Sequence, residues 1–276
     1  MLVSEILKAI LIGIVEGVTE WLPISSTGHM ILLDEFINLD VSAAFRELFF
    51  VVIQLGAILA VPILFFEKLN PFSWRKSRAE KKNTAKLWFK VLVGVTPAAL
   101  LGVLLDDICD KYLYRYQVVA LALIIYGIIF IFIEKFSTKI TQKYDKAEDL
   151  SYADALKIGA FQILSLVPGT SRSGSTIIAG LLLSASRSAS AEFSFFMAIP
   201  IMLGISALKI LKFALGGLVA TANEIAILLI GMAVSFFVSY ISIKFLLDFV
   251  KRQDFKLFGI YRIILGIIVL LYFATK

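Results

Sequence analysis

Residues 13–31 read GIVEGVTEWLPISSTGHMI, and residues 159–177 read GAFQILSLVPGTSRSGSTI. At a fixed offset of 146, Gly13 pairs with Gly159, Ser25 with Ser171, Gly28 with Gly174 and Ile31 with Ile177. Glu16 falls opposite Gln162, Ser26 opposite Arg172 and His29 opposite Ser175. Four identities in 19 positions are weak alone. The order of apolar segments around them adds the weight. In the first half, short pieces at 6–15 and 21–33 precede long ones at 49–66, 87–105 and 116–133. In the second, short pieces at 156–167 and 174–183 precede long ones at 193–211, 225–247 and 257–273. The pattern predicts one integral membrane domain, 1–276, built from two repeats near 1–135 and 150–276.

The long pieces approach the roughly 20 apolar residues that a bilayer requires. The short pieces do not, and Gly, Pro and Ser join them. Such a pair suits a re-entrant hairpin, whose turn must be buried in protein or line a wet cavity, because lipid cannot satisfy free backbone groups. The expected fold class is an all-α polytopic membrane protein, each half a re-entrant helical hairpin plus three transmembrane helices. Three crossings per half is an odd number, so the second copy starts on the opposite side and the repeat is inverted in topology. Paired interrupted segments of this kind point to a site near the midplane, at the repeat interface. Ten full spans is the alternative, and it must accommodate Glu16, Glu20 and Arg172 within ordinary helices.

Composition agrees with a membrane protein. The 276 residues are 59% hydrophobic and 17% charged, with a mean hydropathy of +0.90; soluble domains carry about 25% charged residues. The net charge of +6 follows the loops. Stretches 67–90, 134–157 and 248–256 hold 8, 5 and 3 Lys or Arg, 16 together. Stretches 34–48, 106–115 and 209–224 hold 1, 2 and 2, only 5 together. The first set belongs on the cytoplasmic side by the positive-inside rule, with both termini outward. The basic balance therefore needs no nucleic acid partner. Cys109 is the only cysteine, which excludes an intrachain disulfide and a Cys-rich metal site. The N-terminal apolar run ends in Glu16 without a small-residue cleavage pattern, and does not read as a cleaved signal.

Three constellations carry chemistry. Glu16 and Glu20 are spaced i, i+4 and share a helical face. Carboxylates within a membrane are costly and usually functional. A proton or cation between them would relieve their repulsion, and hard divalent ions such as Mg or Ca take oxygen ligands of this kind. Pro23 to His29, PISSTGH, holds the only histidine of the chain. Ser26 and His29 are spaced i, i+3 and can meet on a helix, and a base beside a hydroxyl activates it. Pro168 to Thr176, PGTSRSGST, breaks one helix, and a new apolar helix is expected to start near Ile177. Hydroxyls at Thr170, Ser171, Ser173, Ser175 and Thr176 surround Arg172, and with the backbone N–H groups of a helix start they suit an anion. Joined by the repeat, these are the parts of metal-assisted phosphoryl transfer.

With EGVTEWLPISSTGHM, VVIQLGAILAV, PGTSRSGST and EFSFFMAIP, the chain resembles the bacterial undecaprenyl-diphosphate phosphatase family, also called the bacitracin-resistance protein, over essentially its whole length. Glu16 and Glu20 match the family's Glu-x-x-x-Glu motif, and Pro168 to Thr176 match Pro-Gly-x-Ser-Arg-Ser-x-x-Thr without departure. The resemblance implies removal of the terminal phosphate of a polyprenyl diphosphate lipid, recycling the carrier for cell-wall polymers and conferring bacitracin resistance. It implies a divalent cation, inverted repeats, and a multi-pass protein of the plasma (inner) membrane whose site opens to the outer face. Residue by residue, Glu16 and Glu20 become the cation- or diphosphate-handling pair and Ser26 and His29 the catalytic pair. Ser171, Arg172, Ser173 and Thr176 become the phosphate binders. A two-histidine lipid phosphatase is nearly excluded by the single His29. The alternative of another class is an inverted-repeat lipid transporter or flippase. Pairing as a homodimer stays open, as do the isoprenoid chain length and the choice among Ser26, His29 and water as nucleophile.

Overall fold

A computed structural model describes residues 2–113, 115–137 and 139–275. Its regular structure is helical: α1 (Leu2–Thr19), α2 (Ser26–Phe36), α3 (Ala43–Leu64), α4 (Phe66–Leu69), α5 (Arg78–Tyr112), α6 (Tyr116–Ser137), α7 (Tyr152–Gln162), α8 (Arg172–Leu182), α9 (Arg187–Leu215), α10 (Ala222–Arg252) and α11 (Lys256–Ala274). A turn of 3₁₀-helix, Ile163–Leu166, extends α7. Among the described residues, six helices are long and apolar enough to cross a membrane: Ala43–Leu64, Arg78–Leu105, Tyr116–Ser137, Arg187–Leu215, Ala222–Arg252 and Lys256–Ala274. These coincide with the six long apolar segments of the sequence. The chain is thus an all-α, multi-pass membrane protein.

The short elements differ from expectation in two respects. α1 runs for 18 residues rather than the ten of 6–15, because residues 2–5, with Glu5, and residues 16–19, with Glu16, are helical too. α8 begins at Arg172 and not near Ile177, because Ser171 caps it. α2, α7 and α8 have 11 residues each, about 16 Å of helix at 1.5 Å per residue, roughly half of a hydrocarbon core. That length argues against ten full spans.

Four of the long helices, α3, α5, α9 and α10, start on side-chain caps. Ser42 and Ser186 accept from the amides of Phe45 and Ala189 at the starts of α3 and α9. Capping boxes, Ser77 with Glu80 and Thr221 with Glu224, open α5 and α10. Each satisfies amides that lipid or protein would leave orphaned.

Packing interleaves the two halves. α1 lies on α10, α7 on α5, α3 on α9 and α6 on α11. Glycines permit these approaches, as small residues do where apolar burial gives no gain over lipid. A Cβ on Gly13 would stand 2.7 Å from the Gly231 carbonyl oxygen, and Gly127 and Gly259 face each other's carbonyl oxygens at the same 2.7 Å. At the centre the fully buried Trp21 meets Phe195 edge to face, 5.3 Å between centroids. Trp21 lies in the turn after α1, so this packing fixes the first hairpin against α9.

Candidate active site

Both hairpin turns end in a serine with an uncommon backbone. Ser25 has φ 71° and Ser171 φ 73°. Each hydroxyl oxygen accepts from an amide three residues on, Gly28 at 3.4 Å and Gly174 at 3.1 Å. Non-glycine residues seldom occupy this region, and strain of this kind persists only where the surroundings hold it. Its effect is local: the first residue of the following helix, Ser26 or Arg172, faces a cavity between the hairpins.

That cavity measures about 450 Å³. Glu20, Ser26, Gln54, Gln162, Ser171 and Arg172 line its polar end, and Val95, Ala98, Val103, Ile201 and Ile205 line its apolar end, between α5 and α9. Val103 is 68% exposed and Ile205 50% exposed, so this end reaches the apolar surface of the molecule.

The polar end is a connected network. Ser26 Oγ donates to Glu20 Oε2 at 2.7 Å. The Arg172 guanidinium donates to Glu20 Oε1, 3.2 Å from Nη2, and to the Ser194 carbonyl, 2.9 Å from Nη1. Both side chains of this ion pair are about nine-tenths buried. Glu20 therefore bridges the Ser26 hydroxyl of one hairpin and the Arg172 guanidinium of the other. Glu16 lies one turn before Glu20, whose amide donates to the Glu16 carbonyl at 3.0 Å. Glu16 is buried and its Oε1 has no partner. Gln162, at the equivalent position of the second half, is also buried with an unpartnered Oε1.

The Ser26–His29 pairing expected from the i, i+3 spacing does not occur. His29 Nδ1 lies 2.8 Å from the Ser25 carbonyl oxygen and Nε2 lies 2.7 Å from the Tyr261 hydroxyl. A carbonyl only accepts, so the neutral ring carries its proton on Nδ1 and accepts from Tyr261. The physical reason is the cap: Ser26 is the first residue of α2 and its hydroxyl reaches back to Glu20, while His29 turns to α11. His29 is absent from the cavity lining, where Ser26 is present.

Two expected phosphate binders also lie elsewhere. Ser173 Oγ sits 3.2 Å from Ser171 Oγ and within 3.4 Å of the Glu20 and Leu22 carbonyls, which fastens one hairpin to the other. Thr176 donates to Ser194 Oγ at 2.7 Å and packs α8 on α9. Because α8 starts at Arg172, these hydroxyls belong to its first turns and face protein. Ser171 and Arg172 remain at the cavity. Gln54 joins them: it lies within the apolar segment 49–66, where a lone amide is itself a signal.

A family model, Bacitracin resistance protein BacA, matches residues 9–268. The chain belongs to the bacitracin resistance protein BacA family. Among BacA-type relatives, a protein of Desulfitobacterium hafniense called undecaprenyl-diphosphatase is 56% identical over 277 residues, covering 100% of this chain and 99% of its own length. One of Enterococcus faecalis with the same name is 56% identical over 269 residues, 97% of this chain and 96% of its own. Undecaprenyl-diphosphatase 1 of Clostridioides difficile is 54% identical, covering 98% and 96%. The BacA family makes the chain a membrane enzyme, and the transporter alternative finds no support among these relatives.

Proposed function

We propose that this chain hydrolyses undecaprenyl diphosphate to undecaprenyl phosphate and inorganic phosphate, with Ser26 as nucleophile. The relatives' names motivate the substrate. The observation that carries the chemistry is the Ser26–Glu20–Arg172 network at the polar end of a cavity whose other end is lined by apolar, surface-exposed side chains. That shape suits an ionic head on an isoprenoid tail.

Ser26 Oγ attacks the terminal phosphorus as its proton passes to Glu20. The Oγ–P bond forms, the bridging P–O bond breaks, and the lipid monophosphate leaves with the electron pair. Glu20 gives that proton to the departing lipid phosphate, then takes one from water as the water oxygen attacks phosphorus. The P–Oγ bond breaks, Glu20 returns the proton to Ser26 Oγ, and inorganic phosphate leaves. Arg172 and the Ser171 hydroxyl offer donors to the transferring phosphoryl oxygens, and Gln54 and Gln162 offer amides to the rest of the head. Positioning and charge stabilisation of this kind supply most of the acceleration in phosphoryl transfer.

A divalent cation fits the residues present. Glu16 Oε1 is a buried, unpartnered carboxylate oxygen beside Glu20. Among the described residues no cluster of three or more His, Cys, Asp or Glu could hold a metal. Glu20, which lines the cavity, would thus hold the ion together with diphosphate oxygens, and Glu16, buried behind it and absent from the lining, would complete the pair only by turning toward Glu20. When bound, it would neutralise charge on the diphosphate.

The two halves form an inverted repeat in this reading. Ser25 and Ser171, and Gly13 and Gly159, recur at the same offset in matching structural roles, and three crossings per half reverse the second copy. The side bearing 16 basic residues faces the cytoplasm, in the plasma membrane of a bacterium, and the cavity serves the outer face. The deciding experiment is phosphate release from undecaprenyl diphosphate by purified protein in detergent. Wild type should turn over with Mg or Ca, and Ser26→Ala should not. Equal release by both would end the assignment.

A further inference from the structure

Arg262 lies in α11, within the otherwise apolar run LFGIYRIILGIIVLL, and is completely buried at 0% exposure. An ionisable residue inside a membrane helix is a functional candidate by default. Among the described residues its hydrogen bonds go to backbone carbonyls and not to a carboxylate. Nη1 donates to Pro23 at 3.2 Å, and Nη2 donates to Gly169 and Thr170, each at 2.8 Å. The Tyr126 and Phe130 rings flank it at 5.9 Å. Pro23 belongs to the turn of the first hairpin, and Gly169 and Thr170 to the turn of the second. Pro23 and Gly169 are equivalent at the offset of 146.

These acceptors lie within the two residues before the two strained serines. Gly169 is itself at φ +92°, and a Cβ there would stand 2.5 Å from the Val119 carbonyl oxygen. Neither turn has helical hydrogen bonds to spare, so a shared donor fixes both. We infer that Arg262 is a positioning residue that clamps the two turns at one spacing, and so sets Ser26 and Arg172 at the distance needed to act on one phosphoryl group. Arg262 is absent from the cavity lining, so it acts through the turns and not on substrate. The planar fork is the essential property: two nitrogens reach two loops at once, whereas a lysine ammonium is a point charge on a flexible stem.

This rests on the proposed reaction, and hydrogen exchange without substrate separates the two. Arg262→Lys should lower kcat by about 10²-fold with KM within about threefold, as expected when reacting groups are misplaced by an ångström. The amides of 20–25 and 167–171 should exchange faster together, while α3 and α9 keep wild-type protection. Arg262→Gln should show the same pattern. A kcat within threefold of wild type, loosening of one turn alone, or loss of protection across α3 and α9 in both variants would overturn the clamp. Wild type inactive on the lipid diphosphate, with both turns still loosened in the variants, would sink the reaction and leave the clamp standing.

Discussion

Ser25 and Ser171 share a backbone conformation, cap helices of equal length and accept from a glycine amide in the same way. The residue that follows is a hydroxyl in one hairpin and a guanidinium in the other. One turn before the break, the first hairpin has Glu16 and the second has Gln162, both buried with an unpartnered oxygen. Glu20 of the first hairpin faces Leu166 in the alignment. In the proposed reading the difference teaches how two similar hairpins can share one site: each supplies the same scaffold, and each keeps half of the proposed chemistry. The Glu20 carboxylate and Ser26 hydroxyl stand on the first, the Arg172 guanidinium and Ser171 hydroxyl on the second, and Glu20 joins the two.

Glu20→Gln should have the largest effect, because it removes the proton acceptor of Ser26 and the partner of Arg172 together. A loss of about 10³ in kcat is expected, within the range for removal of a general base. A variant within tenfold of wild type in phosphate release would separate the two hairpins chemically. Arg172→Lys keeps the charge and loses the fork, so kcat should fall about 10²-fold. Full activity in the lysine form would reduce the second hairpin to a general positive field. Glu16→Gln makes the first hairpin resemble the second at this position. About tenfold more cation should then be needed for half-maximal rate, in line with loss of one ligand or its orienting partner. An unchanged cation titration with a lower rate would assign Glu16 to positioning instead. Tyr261→Phe removes only the hydroxyl that meets His29 Nε2, and kcat should stay within about threefold, the scale of one neutral hydrogen bond. A 10²-fold loss would return His29 to the chemistry.

The six spans and the two hairpins were legible in the sequence, because length, hydropathy and the 146-residue offset depend on covalent order alone. So was the set Glu20, Ser26, Ser171 and Arg172. The Ser26–His29 pairing misled because i, i+3 spacing describes two side chains inside a helix, and Ser26 is the residue at its edge. Its rotamer answers to the preceding turn. Ser173 and Thr176 misled for a related reason: the motif gives hydroxyls, and the cap at Ser171 decides that the later ones face protein. Arg262 escaped notice because hydropathy averaging absorbs one charge in a strongly apolar span. Its partners, Pro23 and Gly169, lie 239 and 93 residues away in sequence.

Division of labour between the hairpins requires that the phosphoryl group pass to Ser26, with Glu20 and not His29 taking the proton. Acid quenching during turnover on a lipid diphosphate labelled in its terminal phosphate, followed by peptide mapping, tests this directly. The expected result is an acid-stable, base-labile phosphate on Ser26, present in wild type and in Tyr261→Phe and lost in Ser26→Ala. An acid-labile phosphate on His29, or steady turnover by Ser26→Ala, would contradict it.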